Sequence, residues 1–215
     1  TTVTNGVTTN STTAYLTVGG TTWGVTSGTN VAGLSSYATG ASNYTSTNNV
    51  DVTNGDTIST GTVNTLRFNG NNTLNLSGTT TIGAGGVLVT SAASTGATFS
   101  GGTLRPGGGN ELVLINNGGQ LTVGSVIANN SAAAALTLSG TGNFRLNGNN
   151  TYTGSTSITS STVSLGSATA LGASGSSAVW IGDNPNAALD LNGYDISIGS
   201  LSGAGGSPYF SRNTF

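Results

Sequence analysis

The 215-residue sequence predicts an all-β fold, a right-handed parallel β-helix built as a three-sided solenoid of short strands. The first observation behind this is a rhythm of apolar-x-apolar dyads cut by turn residues, as in Leu136/Leu138, Phe144/Leu146 and Val163/Leu165. Alternation over three residues marks a very short strand with one buried face. The second is degenerate repetition. The text RFNGNNT (67–73) returns as RLNGNNT (145–151), and LNLSGT (74–79) returns as LTLSGT (136–141). The offsets are 78 and 62 residues by subtraction; their inequality fits stacked strands joined by loops of variable length. The third is composition: Gly supplies 36 residues and charged residues only 5%. Gly, Ser, Thr and Asn break nearly every helical window, while regularly spaced Leu, Val and Ile argue against disorder.

Residues 1–48 are the least regular stretch. They hold one alternating segment, Ala14 to Val18, followed by Trp23, Val25, Val31, Leu34, Tyr37 and Tyr44 among Gly and Ser. A solenoid must cover its first coil, because an open strand edge invites aggregation, so an irregular N-terminal cap or first coils are expected here. From Val50 the dyads settle into a series: Val50/Val52, Leu66/Phe68, Leu74/Leu76, Val87/Val89, Leu112/Leu114 and Leu121/Val123. Corners such as VTNGD, IGAGG and NNGGQ separate them, where Asn-Gly and Gly-Gly reach positive φ at low cost. An antiparallel meander could use Asn-Gly turns too, but strands this brief are poorly stable as hairpins. Stacked coils give each strand a neighbour above and below, with roughly 20 to 25 residues per coil. The β-helix therefore covers 49–206. In each dyad the outer residues face inward and the central one outward, as at Asn75, Thr137, Arg145, Ser164 and Asp190. Ala132 to Ala135 reads as a loop or strand entry rather than a helical turn. Residues 207–215 break the pattern with Pro208, Tyr209, Phe210 and Phe215, as a C-terminal cap, the start of further coils or a docking segment would.

The text NNTYTGSTSITSSTVSLGSATALG (149–172) resembles the signature of the autotransporter-associated β-strand repeat, with Asn150, Thr151, Tyr152, Thr153 and Gly154 matching its core. Leu165-Gly166 and Leu171-Gly172 match its later part, and LDLNGYDISIGSLSGAGG resembles the segment found after such repeats. The likeness is densest over about 134–206; 50–133 is similar to the region commonly upstream. The resemblance implies a right-handed parallel β-helix of an exported passenger region, extracellular or on a bacterial cell surface. The family's motif carries no catalytic residues, and the chain departs from the full-length pattern in having no C-terminal barrel.

The chain contains no His, Cys or Lys. That excludes Ser-His-Asp and Cys-His nucleophile systems, the usual zinc sites and a Walker-type phosphate loop. A formal charge of −2 gives no attraction for nucleic acid. No apolar run is long enough to span a membrane. The first residue is not Met and no signal-peptide pattern opens the chain, as in a processed or excised piece.

Paired carboxylates remain the sharpest route to an enzyme, acting on a polysaccharide. Asp190/Asp195 and Asp51/Asp56 are near in sequence, but the acids are otherwise scattered. Asp51, Asp56 and Asp183 are the candidate Ca²⁺ ligands, without the repeated Asp of calcium-binding nonapeptides. The expectation is therefore no catalysis, no metal and no cofactor. Arg67, Arg105 and Arg145 each follow an apolar residue and, facing outward, could line one side as a basic stripe. With Tyr209, Phe210 and Phe215 they are the candidate partner contacts. The expected function is a stalk or adhesion scaffold whose partners are surface carbohydrate or other copies of itself, the alternative being a filament subunit joined through its ends.

Overall fold

The computed structural model describes the backbone of residues 2–4, 7–10, 13–27, 29–203 and 210–211, and side chains for 7, 13–26 and 29–203. Three parallel sheets form its walls. The long wall has nine strands, from Ala38–Thr39 to Ser200–Gly203. The second wall has eight, from Asp56–Ile58 to Phe210–Ser211. The short wall has four: Gly61–Val63, Thr79–Ile82, Thr103–Pro106 and Val126–Ile127. The chain visits them in turn, so Thr65–Phe68, Thr73–Leu76 and Thr79–Ile82 make one circuit before Gly86–Val89 opens the next. This is the predicted parallel β-helix. No helix among the described residues is long and apolar enough to cross a membrane.

The stacking explains the sequence rhythm. Val50, Leu66, Val87, Leu114, Leu138, Ile158, Ile181 and Gly203 lie in register up the long wall. Successive coils therefore advance by 16, 21, 27, 24, 20, 23 and 22 residues, a wider spread than the predicted 20 to 25. On the second wall Leu74, Phe99, Val123, Leu146 and Leu165 form an equivalent column. Every Leu, Val, Ile and Phe of both columns is buried, and each side chain contributes roughly 1.5 to 3 kcal/mol by leaving water. Phe68 meets Phe99 edge to face at 5.1 Å between ring centres. The central residues Asn75, Thr137, Arg145, Ser164 and Asp190 are half-buried between such neighbours, as outward positions should be. Ala135 enters the strand Ala135–Gly140 without any helical turn before it. That strand's last residue has φ 108° and a Cβ on it would run into the Asn116 carbonyl one coil below, so only Gly fits.

The short-wall strands stop at Val126–Ile127, and beyond them side chains supplement scattered backbone bonds such as Thr151 N–H to the Ile127 carbonyl at 2.9 Å. Asn150 is buried and bridges coils on both sides. Its Oδ1 accepts the Ile127 N–H at 2.7 Å, and its Nδ2 donates to the Ala170 carbonyl at 2.6 Å. Tyr152 fills the interior with its hydroxyl 2.6 Å from Thr156 Oγ1. Burial pushes the phenol upward from its ordinary pKa, with the Thr156 bond opposing it. At Gly154 a Cβ would strike the Ala134 carbonyl. The NNTYTG text is thus a structural device: Asn for cross-coil bonds, Tyr for volume, Gly for close approach.

The N-terminal segment forms antiparallel strands, Thr17–Val18 with Thr22–Ser27 and the latter with Asn30–Gly33. These lie against the outer flank of the long wall, while Ala38–Thr39 pairs with the wall's first full strand. Leu88 is central in its dyad and therefore points outward, yet it is fully buried. It joins Val7, Ala14, Trp23 and Ala84 in a second core, with Leu34, Tyr37 and Ile115 at its margin. A Cβ at Gly86 would press on Ala14 and the Trp23 ring, so the layer sits directly on the wall's backbone.

Polar contacts lock this layer in place. Arg67 binds Asp51 through two parallel bonds, Nε to Oδ1 at 2.5 Å and Nη2 to Oδ2 at 2.6 Å. Its guanidinium stacks on the Tyr37 ring at 3.6 Å and Nη1 donates to the Thr21 carbonyl at 3.0 Å. Arg67→Ala should lower the unfolding free energy by about 1–3 kcal/mol, the range for hydrogen bonds to charged groups reduced by partial exposure. Arg67→Lys should rescue little, because an ammonium gives neither the bidentate fork nor the stacking plane. Denaturant titration of both variants checks this, and a Lys variant as stable as wild type would contradict it.

Candidate functional site

The three arginines do not form a stripe. Arg67 is on the long wall, Arg105 on the short wall and Arg145 on the second wall. A solenoid writes the same dyad on every wall, so a shared local context does not imply a shared face. Arg67 is committed to Asp51 and Tyr37. Arg105 Nε donates to Thr81 Oγ1 at 2.9 Å. Arg145 lies in register between Thr122 and Ser164. Tyr209 and Phe215 lie outside the described residues; the backbone of Phe210 pairs beside Leu189, and its side chain is outside the description.

The acids are mostly spent within the fold. Asp56 Oδ2 accepts from the Tyr44 hydroxyl at 2.8 Å, the Thr53 amide at 2.9 Å and the Thr53 hydroxyl at 2.7 Å. Glu111 accepts from Thr137 Oγ1 at 2.7 Å, one coil on. Asp190 accepts from the Asn192 amide at 2.9 Å and closes a turn. Among the described residues no three acidic side chains converge as a metal site would require.

Burial alone would raise the Asp56 carboxyl, but the Thr53 and Tyr44 bonds outweigh it and hold the group below its ordinary value. The folded state then binds this proton more weakly than the unfolded chain does. The contribution of Asp56 is fully present above the unfolded pKa of about 3.9 and fades as pH falls through the lower folded value. The urea midpoint should therefore drop on acidification below about pH 4, and less steeply in Asp56→Asn. Parallel acid profiles for the two proteins would remove Asp56 as the source.

A groove of about 470 Å³ lies where the N-terminal layer ends and the long wall runs on. Tyr15 and Thr17 form one bank. Ile115, Ser139, Ser160 and Asn184, from successive coils, make the floor and the far bank. None of the lining residues is charged. Tyr15 is 44% exposed, whereas Trp23 and Tyr152 are fully buried. Asn117 ties the banks together, its Nδ2 donating to the Gly20 carbonyl at 3.1 Å. Ser139 and Ser160 stand 3.5 Å apart through their hydroxyls. The sequence carries no local sign of this groove, since residues 15, 115 and 184 meet only through the stacking. No protein-family model, curated protein or solved structure matches the chain.

Proposed function

We propose that the chain is a non-enzymatic structural scaffold that stands outside the cell, of the bacterial surface passenger type its repeat resembles, and serves as a stalk or adhesion surface. The supporting observation is where the reactive side chains go: Asp51, Asp56, Glu111 and Asp190 each hydrogen-bond inside the fold. Acids used as fasteners leave outer columns of Thr, Ser and Asn, which are flat, polar and suited to contact rather than turnover. The test is direct. Antibodies to the solenoid should label intact source cells, and protein-coated beads should adhere to biological surfaces. Labelling only after lysis, or polysaccharide cleavage lost in Asp190→Asn, sinks the scaffold reading.

A second reading, a self-assembling filament subunit, is favoured by one residue. Leu201 stands in register with the buried Val179, an inward position, yet is 42% exposed. An apolar inward position exposed on the last long-wall strand suits a head-to-tail contact with a second solenoid. Electron microscopy separates the readings: filaments with a fixed axial repeat that vanish in Leu201→Asp support assembly, and isolated rods at every concentration oppose it.

A further inference from the structure

We propose that the groove between the N-terminal layer and the long wall binds a linear, uncharged polysaccharide segment lying along the stacking axis. The inference rests on the adhesion reading and specifies its ligand class. Four features of the groove carry it.

Its shape is the first. Ile115, Ser139, Ser160 and Asn184 come from consecutive coils, so the floor repeats at the inter-strand spacing of about 4.8 Å and runs about 14 Å over three steps. A groove whose floor climbs coil by coil, from Ile115 to the polar Ser139, Ser160 and Asn184, suits a repeating extended chain better than a compact molecule. Its volume is the second, about 470 Å³, inside the range of about 300–1,000 Å³ typical of small-ligand sites.

The aromatic bank is the third. Tyr15 keeps 44% of its surface in water. The apolar C–H face of a pyranose packs on such a ring, while the phenol stays available for a hydroxyl. The unspent hydrogen-bonding groups are the fourth. Asn184 uses its Oδ1 to accept the Asn186 amide at 2.9 Å, and its Nδ2 has no partner among the described residues. The Asn117 Oδ1 and the Asn186 side chain likewise have none among the described residues. Planar amides offering both donors and acceptors match vicinal hydroxyls, which are donor and acceptor at once. Charge then decides the class. Without a cation in the lining, a uronate or sulfated sugar would lose hydration and gain no ion pair, so the neutral chain is favoured.

Affinity electrophoresis of the purified protein in gels containing dextran, laminarin, galactomannan, alginate or hyaluronan tests this. At least one neutral polymer should retard the protein, with little change in high salt, because no charges are paired. Tyr15→Ala and Asn184→Ala should each weaken that retardation about tenfold at unchanged melting temperature, both residues being exposed. Retardation by none of the neutral polymers, a preference for the acidic ones, or undiminished retardation in both variants overturns the proposal. The bead assay keeps the two readings apart. Adhesion that persists in Tyr15→Ala leaves the scaffold reading standing and removes the groove, whereas cleavage of a bound neutral polymer removes the scaffold reading and leaves the groove.

Discussion

Asn150→Ala should lower the unfolding free energy by about 2–5 kcal/mol, because it orphans two buried backbone groups at about 1–3 kcal/mol each. The Ile127 N–H and the Ala170 carbonyl both depend on this one amide. A domain holds only about 5–15 kcal/mol in total, so the loss takes a large share. The position matters because the regular short wall has ended and only scattered backbone bonds, such as Thr151 N–H to the Ile127 carbonyl and Ala173 N–H to the Tyr152 carbonyl, join the coils beside it. Asn150→Asp gives a sharper contrast. It keeps the acceptor for Ile127, removes the donor to Ala170 and sets a carboxylate in a dry interior, so it should be at least as damaging at neutral pH. Tyr152→Phe, which leaves only the Thr156 hydroxyl without its partner, should cost about 1 kcal/mol. Urea titration followed by circular dichroism ranks the three. If Asn150→Ala proves as mild as Tyr152→Phe, the cross-coil bridge is not what holds these turns.

Trp23→Ala should remove about 3–5 kcal/mol of packing and release the N-terminal layer while the solenoid stays folded. The side chain is the largest in the second core and presses on a glycine of the wall. The readout is built into the chain, whose two tryptophans are Trp23, fully buried, and Trp180, 37% exposed. The variant should lose the blue-shifted part of the emission, keep its far-ultraviolet signal, and become cleavable between residues 13 and 37. Cooperative loss of the whole fold would instead mean that the layer and the solenoid are one unit. Trp23→Phe should be tolerated far better, since the indole Nε1 is buried without a hydrogen-bond partner among the described residues and its removal offsets some lost volume.

The walls are legible in the sequence because their code is local: a dyad needs only its own three residues to declare a buried face. The second core is less so. Leu88 and Ile115 are outward positions, and alternation alone assigns them to solvent. The signal is present in the runs GVLV and ELVLI, where consecutive apolar residues mean that both faces are covered. The arginine stripe fails for the converse reason, since a local rule says which residues point out and not which wall they point from. The groove is invisible because its residues are united by coil count, and coil lengths here range from 16 to 27 residues.

The two bonds that reach from the N-terminal layer to Arg67 and Asn117 span 46 and 97 residues of chain. Wall contacts, by contrast, join strands one coil apart, so stacking can nucleate locally and propagate coil by coil. The surface that receives Trp23 does not exist until the strands bearing Leu88 and Ile115 are laid down. The segment made first is therefore placed last. During synthesis Trp23 and its neighbours must wait for about three coils to assemble behind them. Their docking is a natural end-point for that process, a seal set on a stack already standing.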